Sequence, residues 1–220
     1  MQKSDIKGDL ALTGALLACG TITGTLFFAV AIIQIIIRPG YTISQNAISQ
    51  LSLGDLGWIQ IISFIVTGLL AVACAIGVRR MLKGQKGGTW GALLIGTFGL
   101  GLIVAGIFPP DPAFGFPSGA PPGPAMPMSG HATLHAIGFF ISMLSMIIDS
   151  FVFARRFRAL RQRSWVIYCI ASGVTVPVLI ALSIVMVSWA GVIVAFAGAV
   201  AFGWVSVLAV RLRAELAQRR

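Results

Sequence analysis

His131 and His135 are the only histidines in the chain, and they stand four residues apart in Gly130-His131-Ala132-Thr133-Leu134-His135. On a helix that spacing puts both rings on one face. Ser129 just before them is a suitable N-cap. The rings are therefore expected in the first turns, where the positive end of the helix dipole disfavours imidazolium. Neutral imidazole can ligate a metal or accept a proton. Asp111, in Phe108-Pro109-Pro110-Asp111-Pro112, is expected at a similar depth. His131, His135 and Asp111 would give zinc or a similar divalent ion three ligands and leave one position open. Ser49, from an earlier loop, is a candidate fourth member of the same pocket. The competing reading is structural: both histidines bond loop carbonyls and close the end of a bundle. No glutamate follows His131, so the helix motif of zinc proteases is absent.

The face that carries the histidines continues through Gly138, Ser142, Ser145 and Asp149, at spacings of three and four. Its flanks are bulky: Phe139, Phe140, Ile141, Met143 and Leu144. Such a helix is expected to turn the polar stripe into a bundle and the bulky residues to lipid or to other helices. Asp149 would lie roughly 20 Å along the helix from His135. One reading pairs it with an arginine of the cluster beginning at Arg155. The other makes Asp149 and the histidines two ends of a proton or ion route, with Ser142 and Ser145 between them.

The elements that must hold these residues are membrane spans. Of the 220 residues 57% are hydrophobic and only 10% charged, where a soluble domain carries about 25% charged residues. Six stretches reach the roughly 20 apolar residues that one crossing needs. They run Leu10–Ile37, Trp58–Val78, Trp90–Phe108, His131–Ala154, Trp165–Val187 and Ala190–Val210. The expected fold is all-α: one integral membrane domain, a six-helix bundle over residues 1–220. Pro177 is expected to bend the fifth helix. Gly191, Ala195, Ala199 and Gly203 are expected to form a close-packing face on the sixth, and Thr97, Gly101 and Ala105 on the third. Gln60, Ser63, Thr67, Ala71 and Cys74 make a polar-small stripe on the second.

The net charge of +10 invites a nucleic-acid reading that its placement opposes. Arg79, Arg80, Lys83 and Lys86 follow the second span. Arg155, Arg156, Arg158, Arg161 and Arg163 follow the fourth. Arg211, Arg213, Arg219 and Arg220 follow the sixth, and Lys3 and Lys7 precede the first. Only Arg38 falls on the other side. This bias places both termini in the cytoplasm and sets the basic clusters against anionic headgroups. The expected partners are therefore membrane lipids and other membrane subunits, with no nucleic acid. Cys19, Cys74 and Cys169 all fall inside spans.

Two outer loops are distinctive. In Arg38–Gly57, the residues Ile43, Ala47, Ile48 and Leu51 recur at helical spacing and Gly54 can stop a helix. The pattern predicts a short amphipathic surface helix with Gln45, Ser49 and Ser52 on its polar side, roofing the bundle. Pro109–Gly130 holds eight of the ten prolines and is expected to be irregular and partly extended, as a lid or as a connector.

Several blocks carry a family resemblance. They are Arg38-Pro39-Gly40-Tyr41, Ile48-Ser49-Gln50-Leu51-Ser52-Leu53-Gly54, Gly57-Trp58-Ile59-Gln60, Gly106-Ile107-Phe108-Pro109-Pro110-Asp111-Pro112 and Gly130-His131-Ala132-Thr133-Leu134-His135. In this order they resemble the six-helix prokaryotic membrane family known as domain of unknown function 998. The resemblance implies a multi-pass protein of a prokaryotic plasma (inner) membrane and points at the same outer-face residues. It implies no activity. The last outer turn, Ser188-Trp189-Ala190-Gly191, lacks the polar or charged pair common in that family.

Three functions are compatible with these features. The leading one is a binding or accessory protein that holds a lipid or small amphiphile in an outward-facing polar pocket. The second is a metal-dependent intramembrane hydrolase using the outer histidines. The third is a transporter, although paired broken helices in two similar halves are not evident.

Overall fold

A computed structural model describes residues 3–218, with side chains from residue 8 onward. The side chains of Lys3 and Lys7, and residues Arg219 and Arg220, lie outside the described residues. Six helices follow one another: α1 (Lys3–Ile37), α2 (Gly57–Met81), α3 (Trp90–Ile107), α4 (Gly130–Ala159), α5 (Arg163–Val185) and α6 (Ala190–Ala217). Each is long and apolar enough to cross a bilayer. Helices α2, α4 and α6 run past the expected apolar limits into the basic segments, ending at Met81, Ala159 and Ala217. Arginine and lysine are good helix formers, and their stems lie along apolar surface while the charge reaches water. Hydropathy therefore marks where lipid ends, while the helix stops only at a cap.

Each helix packs on its neighbours in sequence, and α6 closes back on α1. Helix α5 leans on α4 and α6 and is the least buried of the six. Glycines set the closest approaches. A Cβ at Gly68 would stand 2.5 Å from the Gly99 carbonyl, and one at Gly138 would stand 2.7 Å from the Gly101 carbonyl. The centre is aromatic: Phe27 of α1 stacks on Phe202 of α6 at 4.5 Å, with Phe64 and Phe98 edge-on to that pair. The small-residue face expected on α6 packs closely only at its start, where Gly191 N donates to the Ser44 carbonyl at 3.0 Å and a Cβ would stand 2.2 Å from the Ile43 carbonyl. Ala199 is exposed and no atom lies within contact of Gly203, while Ile193, Ala197, Ala201, Val205 and Leu208 are buried.

The stripe on α4 is buried along its length and faces α3. Ser142 Oγ donates to the Phe98 carbonyl at 2.9 Å, and Gly138 meets Gly101. Asp149 is fully buried, and its carboxylate faces Gly91 at the start of α3. It makes no ion pair with the arginine cluster, contrary to the first of the two sequence readings. Arg156 is committed elsewhere: it donates to Glu215 Oε1 at 3.0 Å, to Gln85 Oε1 at 3.1 Å and to the Lys86 carbonyl at 3.1 Å. That network ties α4, the α2–α3 turn and α6 together at the basic end.

The opposite end is capped by the two long loops. The expected amphipathic helix over 43–54 is not formed; a turn leads into a short 3-10 segment, Ile48–Ser52. Its side chains serve the backbone bonds that a helix would have made itself. Asn46 Oδ1 accepts from Thr42 N at 2.9 Å, and Gln50 Oε1 accepts from Ala47 N at 3.1 Å. The polar side is also reversed. Asn46, Gln50 and Ser52 are buried, while Gln45 is exposed. Gln50 Nε2 donates to the Ala113 carbonyl at 3.1 Å, joining this segment to the proline-rich loop. That loop is anchored by Phe116, only 1% exposed. Tyr41 meets the Phe116 ring edge-on and the Arg38 guanidinium lies 5.1 Å from its centroid. Arg38 also donates to the Leu51 and Leu53 carbonyls.

Candidate functional site

The residues singled out for chemistry first serve as helix caps. Helix α3 ends with carbonyls that have no partner within the helix. His135, from the second turn of α4, supplies one: its Nδ1 lies 2.9 Å from both the Ala105 and Phe108 carbonyls. Carbonyls only accept, so Nδ1 carries the hydrogen and Nε2 remains an acceptor. Helix α4 begins with amides that need acceptors. Ser129 Oγ accepts from Ala132 N at 3.1 Å. Asp111 in turn accepts from Ser129 N at 2.7 Å and from Ser129 Oγ at 2.6 Å. These two bonds, the hydroxyl first, hold the Asp111 carboxyl below the usual carboxylate range, with a smaller contribution from His131.

The expected three-ligand metal set is not assembled. Among the described residues no three histidine, cysteine, aspartate or glutamate side chains come together as a metal-holding group. Asp111 is spent on Ser129. His135 turns one nitrogen to α3. His131 is exposed, with its ring against Phe108 at 5.5 Å. The shared face of His131 and His135 is real as helix geometry, but α3 has ended at Ile107, so His131 stays exposed beside Phe108.

What the fold brings together instead is two neighbouring cavities with shared lining residues. The outer one, about 380 Å³, lies between the 3-10 segment, the proline-rich loop and the start of α6. Ser49, Gln50, Asp111 and His135 line it, with Phe114 and Met126. Beneath lies a smaller chamber of about 60 Å³, walled by Phe27, Phe64, Phe139, Met143 and Phe202. Ser49 and His135 line both. His131 lines neither. The aromatic floor escapes sequence reasoning because single phenylalanines on four separate helices carry no pattern until the bundle is closed. Gln50 had a signal, since it stands in the Ile48–Gly54 block next to Ser49.

Ser142, Ser145 and Asp149 lie deeper on α4 and take no part in the lining of either chamber. The Asp149 oxygens have no hydrogen-bond partner among the described residues.

A family model described as "Protein of unknown function (DUF998)" matches residues 21–211. No curated protein and no solved structure matches the chain.

Proposed function

The chain belongs to the DUF998 family of proteins of unknown function, and from that premise we propose that it is a plasma-membrane protein of a prokaryote that holds a lipid or small amphiphile at its outer face. Both termini lie in the cytoplasm in this reading, and the capped end faces outward. The observation that carries it is a pair of neighbouring cavities that share Ser49 and His135, the outer one mainly apolar with Gln45, Gln50 and Asp111 set into its lining, the inner one walled by aromatic rings. A ligand with one polar group and one apolar tail is complementary to such a site. The polar group would meet Gln50 and the acceptor nitrogen of His135; the tail would enter among Phe64, Phe139 and Phe202. The floor is narrow, so only a slim chain end fits without side-chain movement. Helices α4 and α6 touch each other only sparsely, and that wall is where the tail would part the bundle. Partner membrane subunits remain part of the accessory reading through the exposed apolar faces of α5.

The test is photolabelling of the detergent-purified protein with a single-chain amphiphile carrying a tail diazirine. Labelled peptides are expected to contain Phe64, Phe139 or Phe202, and Ala195→Phe, which fills the floor from α6, is expected to abolish that labelling. Label confined to lipid-facing residues such as Phe140 and Leu144, unchanged by Ala195→Phe, overturns the proposal.

A further inference from the structure

At the basic end, a groove of about 1000 Å³ opens between α4 and α5. Its rim carries Arg155, Arg158, Arg161 and Arg163. These four side chains are exposed and make no hydrogen bond or ion pair with the described residues. No acidic side chain lines the groove. Its wall continues along the helices as apolar surface through Phe151, Ile167 and Ile170, which are 40%, 69% and 43% exposed. Ile170 stands seven residues along α5 from Arg163, a rise of about 10 Å. A second basic cleft shares Arg155 and Arg158 and adds Lys86.

The turn that carries the rim has an unusual residue. Gln162 N donates to the Phe157 carbonyl at 2.9 Å and Arg161 N to the Arg158 carbonyl at 3.1 Å. This is the Schellman ending, whose left-handed position is normally glycine. Here Arg161 occupies it, at φ 56°. A non-glycine residue in that region is strained, and such strain persists where the side chain has a use. Glycine would be the easier residue at this turn; arginine adds a fourth cation to the rim.

We propose that this groove is a binding site for an anionic glycerophospholipid, its phosphate held by Arg158, Arg161 and Arg163 and an acyl chain lying along Phe151, Ile167 and Ile170. Four uncompensated guanidiniums at a headgroup-level rim call for negative charge, and guanidinium is the side chain best matched to phosphate. The apolar wall calls for a tail attached to that charge. A soluble anion would satisfy the first feature and leave the second unused. The site is at the opposite end of the molecule from the outer cavity and stands whether or not that cavity binds an amphiphile.

The test uses the full-length protein in a neutral detergent, with phosphatidylglycerol or phosphatidylcholine supplied in mixed micelles. Native mass spectrometry reads the bound lipid and a thermal scan reads the stability. Phosphatidylglycerol is expected to bind and raise the melting midpoint; phosphatidylcholine is not. Arg161→Gly is expected to keep or raise the lipid-free midpoint while weakening phosphatidylglycerol binding. Arg158→Gln with Arg161→Gly is expected to bind it about thirtyfold more weakly. Equal binding of phosphatidylcholine, or undiminished binding by the double variant, overturns the proposal. So does inorganic phosphate that raises the midpoint as phosphatidylglycerol does, since the site would then read a free anion.

Discussion

Asp111 and Asp149 show how differently two carboxylates can be used within one chain. Asp111 sits outside the spans and is held by Ser129, which draws its titration below the usual range. A depressed folded value means that the contribution to stability is complete above the unfolded value, about 3.9, and is lost as pH falls through the folded one. Asp111→Asn is therefore expected to lower the melting midpoint at neutral pH, and the gap should close on acidification below about pH 4. A gap that widens on acidification would contradict this account. Asp149 is fully buried, and its oxygens have no hydrogen-bond partner among the described residues. A charge there would be uncompensated and costly. Asp149→Asn is expected to change stability by no more than about 1 kcal/mol, while abolishing any proton-coupled activity. A loss of about 3–5 kcal/mol in the same scan, as for a broken buried ion pair, would show a charged and paired carboxylate instead. The sequence pointed to Asp111, His135 and Ser49 by residue type. It could not show that Asp111 and His135 are occupied as caps, because capping depends on where α3 and α4 end relative to one another.

Single elements were legible to the extent that one helix determines its own face. The α4 stripe follows from the three-and-four spacing alone: every member from Gly138 to Asp149 is buried, and Gly138, Ser142 and Asp149 meet α3. The same logic held on α6 only at Gly191. Small residues at 199 and 203 imply close packing only if a neighbour reaches them, and α1 instead meets α6 at Phe202, Ser206 and Ala209. It also misread residues 43–54, since Asn46 and Gln50 capture backbone groups and turn inward, an outcome that apolar periodicity does not register. The α3–α4 contact gives the sharpest test at this scale. A side chain at Gly138 meets backbone, the Gly101 carbonyl at 2.7 Å and the Ala105 amide at 3.0 Å, and neither can swing aside. Ile141, by contrast, is 42% exposed. Gly138→Leu is expected to cost about 2 kcal/mol or more in detergent through overpacking, and Ile141→Leu close to nothing. Equal tolerance of leucine at both positions would show that the two helices do not meet there.

At the scale of the molecule, the uneven charge is the ground for the proposed orientation of the bundle. Eleven described basic residues, from Arg79 to Arg213, stand at the end shared by both termini, and Arg38 alone stands at the other. Arg38 is turned inward onto the Leu51 and Leu53 carbonyls and the Phe116 ring, and burial lowers the basicity of its guanidinium. It is a brace for the cap more than a charged outer loop. Exposed Trp58 and Trp189 at the capped end and Trp90 at the basic end mark two headgroup levels, as interfacial tryptophans do. In the proposed orientation the short basic loops stay on the cytoplasmic side and the proline-rich loop lies outside. The three native thiols lie within spans, so introduced cysteines report on the loops. Ser118 and Lys83 are both exposed, one in the proline-rich loop and one in the α2–α3 turn. In intact cells a membrane-impermeant maleimide is expected to label Ser118→Cys fully and Lys83→Cys only after permeabilisation. Labelling of Lys83→Cys from outside would reverse the bundle. It would also reassign the compartment that feeds the outer cavity, because Phe114 and Met126 in its lining belong to the loop that carries Ser118.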